Sequence, residues 1–163
     1  MKKELQYRLF KKYHMFFDWL KDDKSESIQP MQFGIDCGNG WYWILDNLMS
    51  SIFYYQKNNS HREGNEKFIM VKQIKEKFGR LEFYYNGGDD MISGMVWLAS
   101  HMSYETCEFC GSTENIGRTQ GWISVICKNC YGKDTKIGYK KWIPNNDDRF
   151  LKLLKIKDIL TNK

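Results

Sequence analysis

The sequence predicts an α+β protein: helices flanking a short antiparallel hairpin or sheet, a small lobe closed by two Cys-x2-Cys knuckles, and a basic helix at the C-terminal end. Three observations predict it. Apolar residues recur at helical spacing in three separate segments. The block 81–85 alternates with a period of two instead. Four of the five cysteines fall into two pairs in one short stretch. The expected organisation is a body over 1–104, a cysteine lobe over 105–131 and a basic tail over 132–163.

The first helix is expected over 3–22, where Leu5, Leu9, Tyr13, Phe16 and Leu20 share a face and lysines stand between them. The stretch DDKSESIQP ends it as a loop, with Pro30 opposing continuation. After the GIDCGNG turn, Trp41, Ile44, Leu45, Leu48, Ile52 and Tyr55 mark a second helix that stops before KNNSHREGNEK. Leu81, Phe83 and Tyr85 alternate with Arg80, Glu82 and Tyr84, the pattern of a half-buried strand. FIMVKQI, whose own alternation is imperfect, is its expected antiparallel partner across a turn at Lys77-Phe78-Gly79. GGDD supplies a turn and an aspartate cap for a third helix, whose expected apolar face is Met91, Met95, Leu98 and Met102 with Ile92 and Ala99. A last basic helix is expected around 147–161.

Aromatic residues are abundant (10 Phe, 10 Tyr, 6 Trp), enough for a substantial core. No apolar run approaches the ~18 residues of a membrane span, and the lysine-rich start lacks the pattern of a secretory signal. The net charge of +5 is unevenly placed. Residues 1–131 carry 16 basic and 16 acidic side chains, whereas 132–163 carry nine and four. A field strong enough to dictate nucleic-acid binding is absent, although the tail can form a local basic patch.

CEFCGSTENIGRTQGWISVICKNC spaces Cys107 and Cys110 by two residues, then sixteen, then Cys127 and Cys130 by two. Two residues between paired thiols let a tight turn aim both sulfurs at one ion, and two such knuckles complete a tetrahedron of soft ligands. The expectation is one structural zinc ion in a zinc ribbon, with Gly111 free to take positive φ after the first knuckle and strand-like GWISVIC leading into the second. Two redox pairs or an iron–sulfur cluster are the alternatives, and no thioredoxin-like βαβ pattern surrounds the cysteines. A closed shell of four thiolates leaves no position for a reactive water, so hydrolysis at the ion is not expected. His101 and Glu105 stand just before Cys107, as a replacement ligand or as the end of the third helix. The paired thiols suit a reducing cytosol better than secreted disulfides.

Taken in order, LFKKY (9–13), CGNGWYWILDNL (37–48), VKQIKEKFGRLEFYYNGGDD (71–90) and the CEFCG…GWISVICKNC ribbon resemble an uncharacterised family of small phage and prophage proteins. The likeness covers about residues 9–131, and its most specific part is the KFGxLxFYY block followed by the ribbon. Glu82 departs from it, standing where the family would have arginine, and the tail beyond Tyr131 is additional. The resemblance brings no catalytic residue. It implies a viral gene product in a host bacterial cytoplasm, of a class that binds and disables host factors, including proteins of defence pathways.

Other residues carry groups capable of chemistry. Cys37 at a helix start would gain nucleophilicity from the dipole, but His14, His61 and His101 have no context as its base, and a buried turn cysteine is the plainer reading. Gly38 and Gly40 suggest a phosphate loop only weakly, lacking a lysine-serine pair and a preceding strand. Asp36, Asp46, Asp89 and Asp90 show no acid–base pairing. Tyr54 and Tyr55 stand near an element end. Trp43, Tyr84 and Tyr85 with Lys72, Lys75 and Arg80 form a possible contact set for a ligand or partner, where aromatics stack a base and cations hold phosphate. The expectation is therefore a non-enzymatic zinc protein that binds a host macromolecule, a protein first. A nucleic-acid-binding ribbon and a nucleotide-signal sponge are the alternatives.

Overall fold

The computed structural model describes residues 1–17, 34–133 and 141–145. It is α+β, with helices packed about two small antiparallel sheets. Helix α1 spans Lys3–Lys12 and is followed by a 3-10 turn at His14–Phe16. The helix expected over 3–22 therefore stops halfway along, at Tyr13 (φ −120°, ψ 36°). The reason is packing. Phe16 and Phe17 are both wholly buried, and consecutive residues of an α-helix project about 100° apart. Leaving the helix lets both rings enter the core. Residues 18–22, the DDKSESIQP loop and the 147–161 helix lie outside the described residues.

A 3-10 turn at Asn39–Trp41 feeds helix α2, Tyr42–Asn58. Ile44, Leu45, Leu48 and Ile52 are buried on it as expected, joined by Met49 and Gln56. Gln56 is satisfied by the Lys67 carbonyl at 3.0 Å and the Ile69 amide at 3.0 Å, which sutures the helix to the chain entering the first strand. At its other end Asp46 receives Lys12 Nζ at 2.8 Å and Tyr13 Oη at 2.8 Å, tying α1 to α2.

Strands β1 (Met70–Glu76) and β2 (Leu81–Asn86) form the antiparallel hairpin. A bulge between Val71 and Gln73 leaves Lys72 as the extra residue. That explains the imperfect alternation: Val71 and Ile74 both reach the core although they are three apart. The other edge of β1 takes the 35–37 segment through Asp36, whose amide donates to the Ile74 carbonyl at 3.0 Å.

Helix α3, Asp90–Tyr104, is capped by Asp89, whose carboxylate accepts from the Met91 and Ile92 amides. The face it buries differs from the expected one. Ile92, Ala99 and Ser103 are buried, with Met95, Val96 and Met102 half-buried, while Met91 and Leu98 face outward at 53% and 55% exposure. Ser103 decides the rotation, because its hydroxyl accepts the Leu81 amide at 2.9 Å while donating to the Ser100 carbonyl. Met95 and Met102 still pack against the core beside it, so the inward face is shifted from the expected one by part of a turn.

The second sheet has the order β4-β3-β5: β3 Ile116–Thr119, β4 Val125–Cys127 and β5 Trp142–Pro144. Helix α4, Lys128–Lys133, follows β4 directly. Strand β5 comes from the stretch read above as tail. It pairs Gly117 with Pro144 and Thr119 with Trp142, and Trp142 Nε1 donates to the Ile126 carbonyl at 3.0 Å. Gly117 has no room for a side chain, since a Cβ there would lie 2.4 Å from the Trp142 ring. One hydrophobic cluster runs from Leu9 and Trp41 through Ile74 and Phe83 to Ile116, Val125 and Cys127, so body and ribbon share a core.

Candidate metal centre

The ligand-bearing turns are held from both sides before any ion is considered. The Cys107 amide donates to the Ser112 carbonyl at 2.8 Å and the Gly111 amide to the Cys107 carbonyl at 2.8 Å, closing the first knuckle. Gly111 turns out of it at φ +80°, the left-handed region expected there. The second knuckle begins where β4 ends, with Cys130 N 3.4 Å from Cys127 Sγ. The Glu108 amide donates to the Val125 carbonyl and the Lys128 amide to the Asn115 carbonyl, which brings the two knuckles together.

The four sulfurs lie within 4.8 Å of one another, and Cys110 Sγ and Cys127 Sγ are 3.8 Å apart. A tetrahedral ion with metal–sulfur bonds of about 2.3 Å, the zinc–thiolate length, sets its ligands about 3.8 Å apart. A disulfide would need about 2.05 Å. The donor set and spacing therefore fit one metal ion. Cys107 and Cys127 are buried, Cys130 is half-buried and Cys110 is exposed, so the cluster opens to solvent on the Cys110 side. Burial raises the thiols of Cys107 and Cys130, and neighbouring sulfurs add to the rise at Cys130. At Cys110 burial is outweighed by the Ser112 amide and the neighbouring thiols, and the pKa falls below its ordinary value. His101 does not join the set. Its Nδ1 lies 3.0 Å from the Trp97 carbonyl and its ring lies against Trp97 at a 33° tilt, on the exposed side of α3. Glu105 instead accepts from Asn145 Nδ2 at 3.2 Å.

The GNG turn has a role that spacing alone did not reveal. The Gly40 amide donates to the Glu108 carbonyl at 2.7 Å and the Gly38 amide to Glu108 Oε1 at 2.9 Å. A Cβ on Gly38 would lie 2.1 Å from the Glu108 carbonyl oxygen, and one on Gly40 2.1 Å from the Cys107 carbonyl oxygen. Trp41, wholly buried, donates Nε1 to the Thr106 carbonyl at 2.9 Å. These glycines form the seat on which the first knuckle docks. Glu108, enclosed in that contact, is pushed up to about 7 by burial. Cys37 beside it is buried and pushed up to about 12, so it is a protonated thiol at neutral pH and not an activated nucleophile. Asp36 serves the β1 edge, Asp46 the α1–α2 junction and Asp89 the α3 cap.

The six residues read as a contact set are dispersed. Lys75 Nζ lies over the Tyr84 ring at 5.5 Å, so these two do meet. Tyr85, next to Tyr84 on β2, packs partly against the core, and its hydroxyl meets Ser93 Oγ at 3.1 Å. Arg80 lies over Tyr104 at 5.3 Å, a ring that Arg118 also covers at 4.3 Å, and it is 3.7 Å from Glu82. Lys72 sits at the bulge, and Trp43 stands half-exposed on the first turn of α2 with its carbonyl accepting from Asn47. Tyr54 is exposed on α2 against Phe53, and Tyr55 donates to Asp89 at 2.7 Å.

Two aromatics outside the expected contact set are, among the described residues, the most exposed of the large apolar ones. Phe78, 75% exposed, and Trp122, 73% exposed, stand on either side of an apolar cleft of about 270 Å³ lined also by Lys77 and Ile123. Phe78 occupies the first position of a two-residue hairpin loop. The Lys77 amide donates to the Arg80 carbonyl at 2.8 Å, and Phe78 and Gly79 both have positive φ (53° and 76°). Such turns favour Asn-Gly, and a bulky residue there is strained. That substitution of Phe for the expected Asn was the available signal. No helix among the described residues is long and apolar enough to cross a membrane. The chain matches no protein-family model, no curated protein and no solved structure.

Proposed function

We propose that this is a non-enzymatic zinc-binding protein of phage type whose ion is structural and whose surface engages a host protein of a defence or regulatory pathway. The phage setting rests on the sequence resemblance, and the choice of zinc rests on four thiolates at tetrahedral spacing. The observation that carries the binding role is Phe78. Its backbone conformation costs about 1 kcal/mol for a residue other than glycine, and its side chain is three-quarters exposed. With Trp122 it frames an apolar cleft, and aromatic anchors of this kind dominate protein interfaces.

The zinc assignment predicts one zinc per chain by elemental analysis, with no iron. The binding role is tested with Phe78→Asn, a better residue for this turn. The variant should melt no lower than wild type, yet lose the host protein that co-purifies stoichiometrically with wild type, as should Trp122→Ser. Identical co-eluting proteins from wild type and both variants would overturn the reading. The Lys75–Tyr84 pair favours a second reading, a nucleotide stacked on the outer face of the hairpin. A melting temperature that rises with added nucleotides and is insensitive to Phe78→Asn would select it.

A further inference from the structure

The outward face of α3 is apolar where a surface helix ordinarily carries charge. Asp90, Gly94, Trp97 and His101 form its spine, with Met91 and Leu98 alongside. Met91, Leu98 and Trp97 are 53%, 55% and 62% exposed, and the helix contains no lysine or arginine. Its inner face is fully used by Ile92, Ala99 and Ser103, so the outer residues are not core side chains seen edge-on. The position of a Cβ on Gly94 meets nothing within 4 Å, which makes a notch in the middle of this ridge.

We infer that this face is a self-association surface on which α3 packs antiparallel against α3 of a second copy of the chain. The pattern is complementary to itself about a point between Met95 and Val96. A two-fold axis there sets Gly94 opposite the partner's Trp97, so that an indole fills each notch. It also sets Leu98 beside the partner's Met91. At both ends Asp90 meets the partner's His101. His101 Nδ1 is taken by the Trp97 carbonyl at 3.0 Å, which leaves Nε2 to face the opposing carboxylate as a donor when the ring is protonated. The indole lies against His101, with ring centroids 3.8 Å apart and ring planes tilted by 33°. Antiparallel packing also places the positive end of each helix dipole beside the negative end of the other. A foreign apolar partner would use the hydrophobic surface but would have no reason to match both the notch and the charge order.

The available area bounds the size of the interface. Taking about 150–250 Å² for a large side chain fully exposed, the three apolar residues offer roughly 350 Å² per copy. With the spine and rim the pair buries about 1,000 Å² in total, at the low end of specific interfaces, so a weak, reversible association is expected.

Sedimentation velocity on the metal-loaded full chain, across a concentration series, tests this. A reversible monomer–dimer equilibrium is expected, abolished by Trp97→Glu. Gly94→Ala fills the notch: it should weaken the dimer about tenfold or more while raising the melting temperature of the dilute monomer, because alanine is the better helix residue. Asp90→Lys and His101→Glu should each weaken association, and the double variant should restore it, a rescue that only this antiparallel register provides. Phe78→Asn should leave the dimer intact, which separates the proposal from the partner-binding role of the hairpin tip. A chain that stays monomeric throughout the series overturns the inference. So does a dimer that survives Trp97→Glu, or a double charge variant no better than either single one.

Discussion

Gly40→Ala isolates the contact that joins the metal knuckle to the body. A Cβ at Gly40 would lie 2.1 Å from the Cys107 carbonyl oxygen, 2.4 Å from the Gly111 amide nitrogen and 2.8 Å from the Glu108 carbonyl oxygen. All three are backbone atoms of the knuckle, so no side chain can swing aside. Ordinary contact needs 3.4 Å or more, and the knuckle must retreat by over an ångström. The hydrogen bonds across the seam, Gly40 N to Glu108 O at 2.7 Å and Trp41 Nε1 to Thr106 O at 2.9 Å, lengthen with it. Overpacking of this kind costs about 1–3 kcal/mol, and each weakened buried hydrogen bond adds about 1 kcal/mol. The expected loss is about 3 kcal/mol, a fall in Tm of roughly 6–12 °C for a domain of this size. Thermal and urea denaturation of the metal-loaded protein measure it. Gly132→Ala, where nothing lies within 4 Å of the added carbon, is the control and should stay within about 1 kcal/mol of wild type. A Gly40→Ala protein as stable as this control would refute the docking of knuckle on glycine seat.

Removing the metal with a chelator should unfold the 107–130 lobe and, because Ile116, Val125 and Cys127 belong to the common core, lower the Tm of the whole chain; calorimetry showing an unchanged transition would contradict this. Cys107→Ser, at a wholly buried ligand, should cost more stability than Cys110→Ser at the exposed one, by about 1–2 kcal/mol in denaturant titrations. Asp89→Ala should destabilise by about 2 kcal/mol, since it removes the acceptor of two α3 amides, Tyr55 and Asn65 together. At Asp89, burial, which alone would raise the pKa, is outweighed by hydrogen bonds from Tyr55, Asn65 and the Ile92 and Met91 amides, so the pKa lies below the ordinary 3.8. Its contribution is present above that value and lost as the pH falls through the lower folded one, so the variant's stability curve should be flatter on the acid limb. Native Cys37, with its thiol pushed up to about 12, should resist alkylation at neutral pH and react only on unfolding, as mass spectrometry of labelled protein can follow.

Much of the α+β order was legible because its signals are local. Leu81, Phe83 and Tyr85 alternate on β2, and Asp89 caps α3 with its own side chain. Where the reading failed, a non-local contact had overridden the local one. The stripe Met91, Met95, Leu98 and Met102 reads as an inward face, but the Leu81 amide bonds to Ser103 and turns Met91 and Leu98 outward. Residues 142–144 carry no strong strand signal, yet Trp142 completes the ribbon sheet across Gly117. Likewise, α1 looked continuous through Phe16 because periodicity cannot register that Phe16 and Phe17 must both be buried.

For the site, the spacing of Cys107, Cys110, Cys127 and Cys130 by itself determined that four sulfurs would converge, since two residues between thiols is a short-range geometric constraint. Only the tertiary structure decided what that cluster is attached to and what lies around it. Gly38 and Gly40 are bare because a backbone 70 residues away passes within van der Waals distance, and Phe78 and Trp122 share a cleft because two hairpin tips meet. Chain neighbours encode turns and ligand spacing; contacts between distant segments, which set burial and surface, exist only once the core has closed.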